Sequence, residues 1–263
     1  MSELLVRVPA SAANLGPGFD TLGLALPLDL DDQTVTALGG TLPSGLRLRC
    51  RNAIPHGRGL GSSAAAAVGG AVAAAALLDR DIDTERETLL QVAAAMDGHA
   101  DNAAASLMGG FVVVWKDQDD RYGVARLDPH AQLRPVAFVP EDRSATSVTR
   151  KLLPGQVPLV DAAFTASRSA LGVCAFTARP ELLFPATEDR LHQPYRRAAY
   201  PASADLMNRL RAAGIPAVVS GAGPTVLALT LDGSVPEPLI GPGFAVRPLD
   251  PDRRGAVVER SGS

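Results

Sequence analysis

Short apolar runs and a few longer helical stretches divide this chain. Residues 4–8 and 22–26 are apolar runs of strand length, and a turn with Asn14 and two glycines lies between them. Val35 and residues 46–49 predict further strands joined by a short Gly/Pro turn. Residues 60–78 predict a helix, because alanine dominates and Ser62 or Ser63 offers an N-cap. A second helix runs to Met96, opened by Thr84 with Glu87 three positions on and closed at Gly98. Residues 111–115 and 124–127 predict a hairpin. In the second half, strands are expected at 135–139, 217–219, 226–230 and 244–248, with helical segments around 149–153, 159–177 and 203–213. Strands do not alternate strictly with helices. That predicts an α+β protein with two α/β-type domains, 1–133 and 134–263.

Composition narrows the class. Hydrophobic residues make up 46% and charged residues 20% of 263, enough apolar material for a sizeable core. A net charge of −3 gives no field that would draw nucleic acid or an anionic membrane, so neither is expected as a partner. The apolar stretch 64–78 is too short to span a bilayer, and no signal peptide is evident, so a cytoplasmic protein is expected. The two cysteines, Cys50 and Cys174, lack the spacing of a disulfide scaffold and are expected as free, at least half-buried thiols.

The sharpest chemistry lies in Ile54-Pro-His-Gly-Arg-Gly-Leu-Gly-Ser-Ser-Ala64. Gly57, Gly59 and Gly61 let backbone amides approach a ligand, and the helix that follows directs its free N–H groups and dipole to the same spot. Ser62 and Ser63 can bond phosphate oxygens, and one of them can ligate magnesium. A phosphate-loop lysine is excluded, since the only lysines are Lys116 and Lys151.

This segment resembles the phosphate loop of the GHMP kinases. Three further stretches resemble the homoserine-phosphorylating branch: residues 8–25 with Asn14 and Asp20, residues 98–111 with Gly-His-Ala-Asp-Asn, and Ser220-Gly-Ala-Gly-Pro-Thr225. Residues 191–196 and 146–154 are similar to family segments as well. The resemblance implies two domains, the first with a left-handed β-α-β unit and the second ferredoxin-like. It implies transfer of the ATP γ-phosphoryl group to the side-chain hydroxyl of L-homoserine, with Mg2+, and it suggests a homodimer. Residue by residue, it assigns the nucleotide to Pro55, Gly57, Arg58, Gly59, Leu60, Gly61, Ser62, Ser63, Ala64, Gly221 and Gly223. Mg2+ falls to Ser63 and Asp97. Asn102 lies by the acceptor hydroxyl, and asparagine cannot be a general base. Asp20 meets the substrate ammonium, and Arg150 and Arg196 the carboxylate, for which a guanidinium fork is suited. Asn14, His99 and Thr146 complete the pocket.

The chain departs from the family pattern in three places. Asp97 stands where glutamate is usual, Ala100 replaces a proline, and residues 36–46 form a short turn where family members carry a longer segment near the adenine. The adenine is therefore expected to be held more loosely, or by Asn52 and neighbouring strands. Two other readings are a GHMP kinase for a different alcohol and a nucleotide-binding regulator without catalysis.

Overall fold

The computed structural model describes residues 3–30, 51–141 and 149–261. Strands β1 (Glu3–Asn14) and β2 (Gly18–Leu30) form a long antiparallel hairpin. Strands β3 (Phe111–Lys116) and β4 (Tyr122–Leu127) extend it on one side. On the other side β9 (Val257–Ser261) pairs with β1, giving the order β4-β3-β2-β1-β9.

Helices cover both faces of this sheet. Alternate residues of a strand point to opposite sides, and β2 uses both. A Cβ placed on Gly23 would meet Ala105 of α3 (Ala100–Met108), whereas Leu22 reaches Gly172 of α4 (Leu159–Thr177). Phe111 on β3 stacks on Phe176 of α4 with ring centroids 5.0 Å apart. The α3 side also carries α1 (Ser62–Leu77) and α2 (Ile82–Asp97). α1 is buried on almost every side, which suits its alanines: they lose no rotamer entropy and let the helix lie close to its neighbours.

The second sheet has the order β6-β7-β5-β8, from β5 (Arg134–Pro140), β6 (Ala217–Val219), β7 (Val226–Thr230) and β8 (Phe244–Pro248). Every pairing is antiparallel, and this is the ferredoxin-like strand order. α7 (Pro201–Ala212) packs Leu206 and Leu210 on its inner face against Phe138 and Val219. Between β7 and β8 the second crossover helix of that fold is reduced to one 3-10 turn, Glu237–Leu239. Two short helices, α5 (Leu183–Ala186) and α6 (Gln193–Arg196), lead into α7.

Several local expectations change. α1 is capped by Gly61 rather than by Ser62 or Ser63, so both serines lie inside the first turn. α2 begins one turn earlier than Thr84 predicts, because the Asp81 side chain accepts from the Asp83 N–H. Thr84 bonds back to the Asp81 carbonyl instead. Of residues 149–153, Thr149 and Arg150 are helical as expected, and the chain turns at 151–152. α3 and β9 were not foreseen. A cut at 133 separates the two sheets except for β9, which returns to the first. The strands expected at Val35 and 46–49, the turn at 36–46 and Cys50 lie outside the described residues. Cys174 is a free thiol but exposed.

α4 is long and apolar enough, by length and composition, to cross a membrane. Its Gly172, Ala175 and Phe176 are buried in the protein.

Candidate functional site

The glycine-rich loop leads into the first turn of α1, as its composition demands. Glycine is required here by contact as well as by backbone angle. Gly59 has φ 73°, and a Cβ there would lie 2.3 Å from the Ser220 carbonyl. Gly61 has φ 68°, and its Cβ would lie 2.2 Å from Ser11 Oγ and 3.0 Å from Asn102 Oδ1. No side chain fits either place.

The 220–225 loop locks onto this one. Ser220 Oγ donates to the Gly59 carbonyl at 2.6 Å, and the Thr225 N–H donates to the Arg58 carbonyl at 3.2 Å. The same loop reaches the first turn of the chain: the Gly221 N–H donates to the Ala13 carbonyl, and Asn14 Nδ2 to the Gly221 carbonyl at 2.8 Å. Three separated motifs therefore meet through backbone hydrogen bonds. Leu60 and Ala64 are buried beneath the loop, whereas Ser63 faces outward.

Two residues assigned to the nucleotide have other partners. The Arg58 guanidinium donates to the carbonyls of Pro140, Glu141 and His56 at 2.7, 2.5 and 3.2 Å, tying the loop to the end of β5. Asn52 accepts from the Ile54 N–H at 2.7 Å and turns its amide to His56 Nε2 at 2.5 Å. Nε2 is then an acceptor, so Nδ1 carries the imidazole proton and donates to Ser62 Oγ at 3.0 Å. The Ser62 hydroxyl keeps its own proton to give to an anion. His56 was visible in the sequence but not assigned a role; only the folded loop shows it behind Ser62.

At the other side of the loop, Ser106 Oγ donates to Ser11 Oγ, and Ser11 donates to Asn102 Oδ1 at 3.0 Å. Asn102 thus has its carbonyl engaged and presents amide hydrogens. Its neighbour Asp101 is 4% exposed and accepts from the Asn102 N–H at 2.7 Å. Burial, above all, pushes the Asp101 carboxyl up to about 6. Asp97, at the end of α2, lies near Ser63. Burial raises its pKa, and Ser63 and His99 counteract it. His99 is the N-cap residue of α3.

Asp20, Arg150 and Arg196 gather around Phe19. Asn14 Oδ1 accepts from the Asp20 N–H at 3.0 Å and holds Asp20 at φ 54°. Both terminal nitrogens of Arg150 bond the Asp20 carboxylate. The guanidinium carbons of Arg150 and Arg196 lie 5.2 and 5.3 Å from the Phe19 ring centre. Arg196 is 1% exposed, and among the described residues its Nε has no hydrogen-bond partner. Burial lowers its pKa.

Arg196 Nη1 donates to His192 Nδ1 at 3.3 Å, while His192 Nε2 donates to the Gly16 carbonyl at 2.6 Å. His192 is therefore neutral, as its burial also dictates. Asp189 fixes this corner by accepting from the His192 and Gln193 N–H groups. Phe19, His192 and Asp189 carried no sequence signal of their own. Thr146 lies outside the described residues.

A glycine-rich loop at a helix start, joined by hydrogen bonds to the first turn of the chain and to the 220–225 loop, suits an anion such as phosphate. Comparison with known proteins agrees. Residues 30–110 match the GHMP kinases N terminal domain, and residues 178–240 the GHMP kinases C terminal domain. A homoserine kinase of Rhodococcus erythropolis is 49% identical across 88% of this chain and 87% of its own length. The chain belongs to the homoserine kinases. The homoserine kinase of Streptomyces avermitilis is 47% identical across 96% of the chain and 94% of its own. The crystal structure of a homoserine kinase from Cytophaga hutchinsonii superposes with a TM-score of 0.79 at 25% identity, covering 98% of this chain and 97% of that one. The GHMP kinase fold, its two domains and the family expected from the motifs all stand.

Proposed function

We propose that this chain transfers the γ-phosphoryl group of ATP to the side-chain hydroxyl of L-homoserine, giving O-phospho-L-homoserine for threonine biosynthesis, in the cytoplasm. The observation that carries this reading is Asn102. Its carbonyl is tied through Ser11 to the start of the phosphate loop, and its neighbour Asp101 feels the charge of Asp20 in the cluster around Phe19, which supports a reading in which both reactants meet near this amide.

Transfer of this kind depends on position and on charge neutralisation around the phosphates. The backbone amides of residues 57–62 and the α1 dipole receive the phosphates, and the Ser62 hydroxyl donates to them. The Ser63 hydroxyl and the Asp97 carboxylate are neighbouring hard oxygens, a donor pair that fits Mg2+, which keeps most of its shell for water and phosphate oxygens. When bound there, Mg2+ neutralises charge on the phosphates. Among the described residues no cluster of three acidic, histidine or cysteine side chains could hold a metal.

On the acceptor side, Asp20 holds the substrate ammonium, and Arg150 and Arg196 the carboxylate. Asn102 donates to the acceptor hydroxyl oxygen. With its carbonyl held by Ser11 it cannot take the proton, so the proton leaves by another route. An ADP-release assay with L-homoserine, L-serine and mevalonate tests the reading. Turnover with L-homoserine well above the other two is expected. A preference for mevalonate, or no turnover at all, would overturn it.

A further inference from the structure

The residues that would hold the two charged ends of an amino acid hold each other in this structure. Asp20 and Arg150 form a two-pronged ion pair with side chains 40% and 38% exposed, accessible to a ligand yet half withdrawn from water. Their mounts differ. Asp20 is fixed on β2 by Asn14, whereas Arg150 is the last helical residue before the turn at 151–152. Arg196, 5.3 Å from the same ring, makes no ion pair among the described residues.

We propose that the Asp20–Arg150 pair sets specificity by exchange, resting on the functional reading above. A zwitterion breaks the pair and replaces it. Its ammonium takes Asp20, and its carboxylate takes Arg150 together with the unpaired Arg196. Both members regain a partner, and Arg196 acquires one. An amino alcohol without a carboxylate can claim Asp20 only by leaving Arg150 half desolvated and unpaired. A hydroxy acid without an ammonium meets a closed pair and reaches only Arg196. Removing one partner of a desolvated ion pair is costly because the other charge remains. The pair therefore penalises molecules that carry one charge and admits those that carry both.

The signature is a gain of binding in a variant. In Arg150→Met, 2-amino-1,4-butanediol, which lacks the carboxylate, should bind about two- to fivefold more tightly than in wild type, since it no longer displaces a competitor. In Asp20→Asn, 4-hydroxybutanoate should gain by a similar factor. L-homoserine should weaken in both. Arg196→Met is the control for a general field effect: it removes a cation beside the same ring that does not pair with Asp20, so the amino alcohol should not gain there.

Calorimetric titration of each analogue supplies the affinities, and circular dichroism checks each fold. If Arg150→Met does not fold, Arg150→Lys, which keeps the charge but not the two-pronged contact, should show a smaller gain. Unchanged analogue affinities in folded variants, or an equal gain in Arg196→Met, overturn the exchange while leaving homoserine phosphorylation intact. Failure of wild type to phosphorylate L-homoserine overturns the functional reading and the exchange together.

Discussion

Ser11 Oγ donates to Asn102 Oδ1 at 3.0 Å, and it is also the atom nearest to any Cβ placed on Gly61. One hydroxyl thus fixes the Asn102 amide and which residue can stand at the start of α1.

Gly61→Ala should therefore cost more than backbone strain. A left-handed residue with a side chain loses roughly 1–2 kcal/mol. Gly98 supplies the comparison, because it has φ 83° yet no atom within 4 Å of its Cβ position. Thermal denaturation should show Gly98→Ala losing only the strain, and Gly61→Ala more, with ATP turnover lost as well. Equal losses in stability and full activity in both would show that the contact with Ser11 is unimportant.

Arg196→Met should separate stability from function. The guanidinium is buried without an acidic partner among the described residues, and replacing a buried charge by an apolar side chain of similar length is often neutral or stabilising. We expect an unchanged or raised melting temperature with a ten- to hundred-fold rise in KM for L-homoserine, from roughly 1.5–3 kcal/mol of lost charge-assisted bonding. KM for ATP should hold. A homoserine amide should lose far less than the acid does; equal losses would remove Arg196 from the carboxylate site.

Asp101 makes the stability depend on pH. Its folded carboxyl sits near 6 against an ordinary 3.8, so the folded chain holds that proton more tightly than the unfolded one. Its contribution to stability falls as pH rises from about 4 through 6. Two units correspond to roughly 2–3 kcal/mol at pH 8. Asp101→Asn, which can still accept from the Asn102 N–H, should be more stable than wild type at pH 8 and lose that advantage below pH 4. Urea titrations at the two pH values check this, and a pH-independent difference would count against it.

Ser63→Ala should lower kcat at least tenfold with little change in melting temperature, because alanine suits a first helical turn and the serine is not the cap. Asp97→Asn should raise the Mg2+ concentration needed for half activity. If Ser63→Ala unfolds the chain while the activity of what remains is normal, the hydroxyl is structural.

Much of this site could be read from the sequence because its parts are local. Gly57–Gly61 and the serines after them are consecutive, and 98–102 and 220–225 are equally compact, so each motif announces itself. What could not be read depends on residues brought together across the chain. Arg58 looks like a phosphate ligand in a glycine-rich loop, but its fork meets carbonyls at 140 and 141 that only the fold delivers. His56 and Asn52 look unremarkable until the loop closes them on Ser62. Arg150 and Asp20 are expected from their motifs to meet opposite charges of a ligand, yet their pairing with each other spans 130 positions and only the fold shows it. Helix starts failed for a different reason: Gly61 and Asp81 won over Ser62 and Thr84, since a left-handed glycine and an aspartate are competing ways to begin a turn.

The pairing of β1 with β9 governs the order in which the protein can be built. Arg7 faces Val257 across that ladder, so the outer edge of β1 has no partner during most of translation. The phosphate loop, α1 and the acceptor asparagine are synthesised long before β9 and must form on a sheet whose flank is still bare. Bare flanks recruit other strands, and contacts this distant in sequence close slowly. A nascent chain stalled before residue 257 should therefore be a better target for chaperones than one released after it, even though every residue of the catalytic cleft has already emerged.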